Sequence, residues 1–177
     1  MGEVYTGEIA QSELLGKPER EEADELSYKP YKTAMDVARK TQAYLSSDSK
    51  YSPSDPEPRF ANDLHATIAE KLGVDNYDDL RYYTALGTEL DRFHGVDAFF
   101  ELDIQGSTEP IIVTLDLTLN PDKDEYKADT ILFVDEDQLD IEYNKQGYDE
   151  LIKDSADKIV RAFRLAQNTN KSMEGVK

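Results

Sequence analysis

The sequence predicts an α+β domain: a central mixed sheet, built on an antiparallel hairpin at about 96–103 and 111–120, with helices flanking it. Three observations carry this. Two runs alternate side chains at the period of a strand, a short loop with Gly106-Ser107 lies between them, and apolar residues elsewhere recur at helical spacing. With 177 residues the chain suffices for one domain with a real core.

Residues 1–29 read as an acidic, flexible extension that packs poorly, because Glu19 to Glu25 is almost entirely charged. The domain spans 30–170, and 171–177 is a frayed tail. From about Pro30 to Ser46 a helix is expected, with Tyr31, Ala34, Met35, Ala38, Thr41, Gln42 and Leu45 near one face. Residues 46–58 carry Pro53, Pro56 and Pro58 and read as a loop. A second helix runs from about Ala61 to Leu72 on the stripe Phe60, Leu64, Ile68 and Leu72, with Gly73 to end it. His65 beside that stripe is a packing residue. Around 78–86 the pattern is ambiguous, and Arg81-Tyr82-Tyr83-Thr84 suits a strand. A further strand is expected at 128–134. A last helix covers about 148–167, burying Tyr148, Ile152, Ser155, Ile159 and Phe163 with Leu151 beside them.

Composition narrows function. The formal charge is −18, with 33% of residues charged, so most of the surface repels nucleic acid. There is no cysteine, which removes disulfides, thiolate catalysis and Cys-type zinc sites. No run is long and apolar enough for a membrane helix, and the first ten residues do not look like a secretory signal, so a cytoplasmic protein is expected. No glycine loop for phosphate and no nucleophile elbow is present. The acidic stretches at 122–125 and 135–137 lack the pattern of a calcium loop and read as solvated turns.

The hairpin holds the one constellation with chemical content. By parity, Val96, Ala98, Phe100 and Leu102 face one way and Asp97, Phe99, Glu101 and Asp103 the other. On the second strand Ile111, Val113, Leu115, Leu117 and Leu119 oppose Ile112, Thr114, Asp116, Thr118 and Asn120. Folding back about Gly106-Ser107 sets Asp97 opposite Asp116, Phe99 opposite Thr114 and Glu101 opposite Ile112, and leaves the other face apolar. Phe100 and Leu115 should then be buried. Two carboxylates this close share a proton or a cation, and oxygen donors suit Mg²⁺ or Mn²⁺. The alternative is a solvent-facing hairpin face whose carboxylates spread apart in water.

The segment Gly95-Val96-Asp97-Ala98-Phe99-Phe100-Glu101-Leu102, followed by Val113-Thr114-Leu115-Asp116-Leu117-Thr118, resembles the PD-(D/E)XK, restriction-endonuclease-like nucleases. The resemblance covers about Phe60 to Leu165. It implies that Asp97 and Asp116 bind a divalent metal and that a third acid comes from upstream, with Asp91 the first choice and Glu89 and Glu70 its rivals. It also implies a lysine two residues after the second carboxylate, where this chain has Thr118. Lys123 or Lys127 would then supply a displaced ammonium. Substrate contacts would come from Thr118, His94, Arg161 and Arg164, although His94 also reads as a turn residue and the two arginines as part of a salt-bridged helix face.

The expected function is a metal-dependent nuclease-like phosphodiesterase acting on nucleic acid. The alternative is an inactive scaffold of that fold, or an acidic module that binds a basic protein partner, a DNA mimic among them. Oligomeric state is open and a homodimer is compatible. A basic side chain near Asp97 and Asp116 discriminates between the two, since its absence favours the binder.

Overall fold

The structure, a computed structural model, describes residues 7–19, 25–45 and 50–175. Its elements are α1 (Gly7–Leu15), α2 (Tyr31–Lys40), α3 (Arg59–Leu72), β1 (Leu80–Thr84), α4 (Glu89–His94), β2 (Ala98–Leu102), β3 (Ile111–Thr118), β4 (Thr130–Phe133) and α5 (Lys145–Glu174). The sheet runs β1-β2-β3-β4, the first three strands antiparallel and β4 parallel to β3. The fold is α+β with a four-stranded mixed sheet and helices on both faces.

The hairpin takes the register read from its alternation: Phe99 pairs with Thr114 and Glu101 with Ile112. Phe100 and Leu115 are fully buried. On their face, α1, α3 and α5 close one core with Leu64, Ile68, Leu117, Ile159 and Phe163. The opposite face is also covered, which the polar alternation did not foretell. There α2 and α4 lay Ala34, Met35, Ala38 and Leu90 on Tyr83, Val96 and Phe99. Glu101, buried in this second layer, is tolerated because Arg39 of α2 donates to it through Nε at 2.6 Å and Arg81 lies at 3.5 Å.

Several boundaries differ from the sequence expectation. The segment 1–29 is no loose extension where it is described, since Ala10, Leu14 and Leu15 are buried and Tyr82 Oη donates to the Leu15 carbonyl at 2.8 Å. Most of the acidic run, 20–24, lies outside the described residues. Helix α2 stops at Lys40 because the Thr41 hydroxyl bonds back to Val37 and Ala38, and the buried Gln42 amide leaves to bind Thr84 O at 2.8 Å. Tyr31 and Leu45, placed on the buried stripe by spacing, are exposed. Helix α4 was not foreseen. Helix α5 starts earlier and runs on to Glu174 rather than fraying from 168 or 171, with no Gly or Pro between Tyr148 and Gly175.

Other elements stand as read. Gly73 ends α3 at φ 67°, in the left-handed region. His65 is buried with Nε2 2.6 Å from the Leu80 carbonyl, and burial pushes its pKa down. All five residues of the expected α5 stripe are buried. The ambiguous stretch is strand β1, led in by a turn in which Asn76 accepts from the Asp78 amide.

The connection from β3 to β4 positions the site. Parallel neighbours are usually joined through a crossover helix, yet here residues 119–129 return without one. Asp129 fixes the far end: its Oδ2 accepts from Thr114 N at 2.8 Å and Thr114 Oγ1 at 2.9 Å. The loop so held carries Lys123 and Lys127 back past the end of the hairpin.

Candidate active site

Asp97 stands just before β2, where the β2–β3 ladder ends. Its amide donates to Leu115 O at 2.9 Å and its carbonyl accepts from Ala85 N at 2.8 Å. Beyond that point β3 has no β2 partner, and Asp97 supplies one. Its Oδ2 accepts the Leu117 amide at 2.8 Å, while the Gln11 amide of α1 donates to Leu117 O at 2.7 Å and to the same Asp97 oxygen at 3.2 Å. Both Leu117 backbone groups are thereby satisfied by side chains.

Asp97 is 5% exposed and Asp116 is 6% exposed. The Asp97 carboxyl is pushed up to about 7, chiefly by desolvation, against the lowering pull of the Leu117 amide. The negative charges of Asp91 and Asp116 and a hydrogen bond with the Asp91 side chain push it further up. Asp91 belongs to α4, whose end is set by Gly95 at φ 67°, and it also accepts from Gly87 N at 2.8 Å. Lys123 Nζ lies 2.6 Å from Asp116 Oδ2, with the lysine 35% and the aspartate 8% exposed at their side chains.

The structure therefore gathers Asp91, Asp97, Asp116 and Lys123. Of the rival third acids, Glu89 is buried and ion-paired with Lys29 at 3.2 Å, and Glu70 is exposed on α3. Lys127 lays its methylenes on Gly95, where a built Cβ would meet them at 3.6 Å, and so borders the site without pairing with either aspartate among the described residues. Thr118 Oγ1 accepts the Asn120 amide at 3.0 Å, starting the turn that leads to Lys123. His94 places Nε2 2.8 Å from Lys29 O. Arg161 and Arg164 are not at the site. They sit on α5, in the layer across the sheet, where Arg161 neighbours Asp157 and Arg164 reaches Lys71 O at 3.4 Å.

Among the described residues no group of three or more His, Cys, Asp or Glu side chains stands in a metal-holding arrangement. Asp116 is engaged by Lys123, and Asp97 by Leu117, Gln11 and Asp91. Gln11 escaped the sequence reading because its partners lie 86 and 106 residues away. Only the spacing of Ala10 and Leu14 hinted that its segment packs. Comparison with family models, curated proteins and solved structures finds no match to this chain. No helix among the described residues is long and apolar enough to cross a membrane.

Proposed function

We propose that the chain is a metal-dependent phosphodiester hydrolase of the nuclease-like type, centred on Asp91, Asp97, Asp116 and Lys123. The observation that carries the reading is the Lys123 ammonium on Asp116, which puts a cation where Thr118 cannot. A mixed sheet with helices on both faces supports the restriction-endonuclease-like architecture.

The donor chemistry fits a hard divalent ion, being carboxylate oxygen without imidazole or thiolate. Asp97 and Asp116 would hold Mg²⁺ or Mn²⁺, with Asp91 as third acid. Such an ion, when bound, supplies polarisation of the phosphate and a lowered pKa for attacking water. The chain's own groups do the rest. Gln11 and the Leu117 amide fix the Asp97 carboxyl in place beside Asp91. Lys123, one-third exposed, can hold a phosphate oxygen or a water beside Asp116.

Calorimetry with Mn²⁺ on the purified chain, followed by cleavage assays on DNA and RNA, tests this. Binding lost in Asp116→Asn, and cleavage lost in both Asp116→Asn and Lys123→Ala, is the expected result. No Mn²⁺ binding and no cleavage by the wild type would overturn it. A second reading, an inactive scaffold of this fold that takes a basic protein partner, is favoured by the net charge of −18. In that case a basic polypeptide should bind at low salt with Lys123 still paired.

A further inference from the structure

The outward face of α5 carries its charges sorted by sign. Glu150, Asp154, Asp157, Arg161 and Arg164 recur at helical spacing on the side opposite the buried Ile152, Ile159 and Phe163. All five are exposed, and the acids precede the bases. Asp157 is paired with Lys71 at 2.7 Å. Asp154 and Arg161 make no hydrogen bond or ion pair among the described residues, although the charge of Arg161 acts on Asp157.

A solvated helix does not call for this order. Like charges three or four residues apart repel, and the stripe sets Glu150 beside Asp154, Asp154 beside Asp157, and Arg161 beside Arg164. Only Asp157 and Arg161 are opposite in sign at that spacing. The helix dipole favours early acids and late bases, but it acts within the first and last turns. Asp154 to Arg164 lies in the interior of a helix that runs from Lys145 to Glu174. Beyond Gln167 the helix also packs on nothing in this chain, since residues 168–173 are all exposed.

Two such faces fit each other. Laid antiparallel about a twofold axis between Asp157 and Lys158, each copy sets Asp154 opposite Arg161 of the other and Glu150 opposite Arg164. A groove of about 850 Å³ runs along the acidic half, lined by Glu150 and Asp154 on α5 and by Asp135 and Asp137 beyond it. The late, basic turns of the other copy's helix lie along this groove. Phe133 in the groove is 38% exposed and Leu165 on the helix 62%, so each copy brings an apolar group for the other to cover. An unrelated basic peptide would satisfy the acids and leave Arg161 and Arg164 side by side, whereas a second copy satisfies both halves. We propose that the chain forms a twofold dimer through antiparallel α5 helices. This face lies across the sheet from Asp97 and Asp116, so the dimer and the hydrolase reading stand or fall separately.

Sedimentation equilibrium of the full chain at about 150 mM salt, where repulsion between two acidic copies is screened, reads the assembly directly. A species of twice the chain mass that grows with concentration is expected. Arg161→Glu/Arg164→Glu and Glu150→Arg/Asp154→Arg should each associate at least about tenfold more weakly, because like charges then face each other. An equimolar mixture of these two variants should associate again, although both chains remain net acidic. Arg161→Ala/Arg164→Ala, a milder change, should also weaken the wild-type dimer. Lys32→Glu/Lys40→Glu, on α2 across the sheet, makes the same change of net charge as the arginine reversal and should leave association unchanged. A wild type that stays monomeric, α5 variants that dimerise as it does, or a mixture that does not associate would overturn the dimer. Equal weakening in the α2 variant would overturn it too, since net charge rather than this face would then govern association.

Discussion

Lys123 Nζ sits 2.6 Å from Asp116 Oδ2, although the two residues are only seven apart and lie on either side of a turn. Asn120 helps to build that turn by accepting the Asp122 amide through its side chain at 3.0 Å. The pair is asymmetric, with a nearly buried aspartate and a lysine one-third exposed. Removing the lysine leaves the buried charge without its ammonium. Lys123→Met should therefore destabilise the metal-free protein by about 1–2 kcal/mol, below the range for a fully buried pair because water screens the lysine. Urea unfolding checks this, and an unchanged midpoint would mean that the contact contributes nothing.

The Asp97 carboxyl gives a pH dependence with a definite sign. Its pKa is about 7 in the folded protein against an ordinary value of 3.8, so the folded state holds more protons between these values. The contribution is fully present below about pH 4 and is lost as pH rises through about 7. In metal-free buffer Asp97→Asn should flatten the fall in stability across that window. If wild type and variant show parallel pH profiles, Asp97 is not the group responsible.

Helix α1 should behave as core. Leu15→Ala is expected to cost about 2–5 kcal/mol, the usual range for a buried leucine, and proteolysis that removes residues 1–29 should lower the melting temperature by many degrees. A truncated chain that melts with the wild type would return this segment to the status of a tail.

Phe100→Ala and Leu115→Ala should each cost about 2–5 kcal/mol, since both side chains lie fully buried between the sheet and its helices. Losses below about 0.5 kcal/mol for both would contradict the burial of that face.

What the sequence made legible was the part governed by local periodicity. Alternation on either side of Gly106-Ser107 admits registers only two residues apart, and the one chosen pairs Phe99 with Thr114 in the structure. The stripe from Tyr148 to Phe163 likewise marks one helix face. Asp97, Glu101 and Asp116 alternate as solvent residues do, yet they are buried, because Arg39 from α2, Lys123 from the turn after β3 and the Leu117 amide satisfy them. The six residues of α4 are too few for a periodic signal. Nothing local in residues 7–15 announces that Gln11 will meet β3. The hairpin register was therefore readable, and the surroundings of Asp97 and Asp116 were not.

The Gln11 contacts have a consequence for how the protein is made. Helix α1 is made before β2 and β3, and Gln11 must wait for residues 86 and 106 positions later before its amide can reach Asp97 and Leu117. Loop closure over such separations is slow to be rewarded, so β3 can pair with β2 while the Leu117 amide and carbonyl still lack their side-chain partners. The Asp97 carboxyl thus reaches its final setting only when the two ends of that long loop have met.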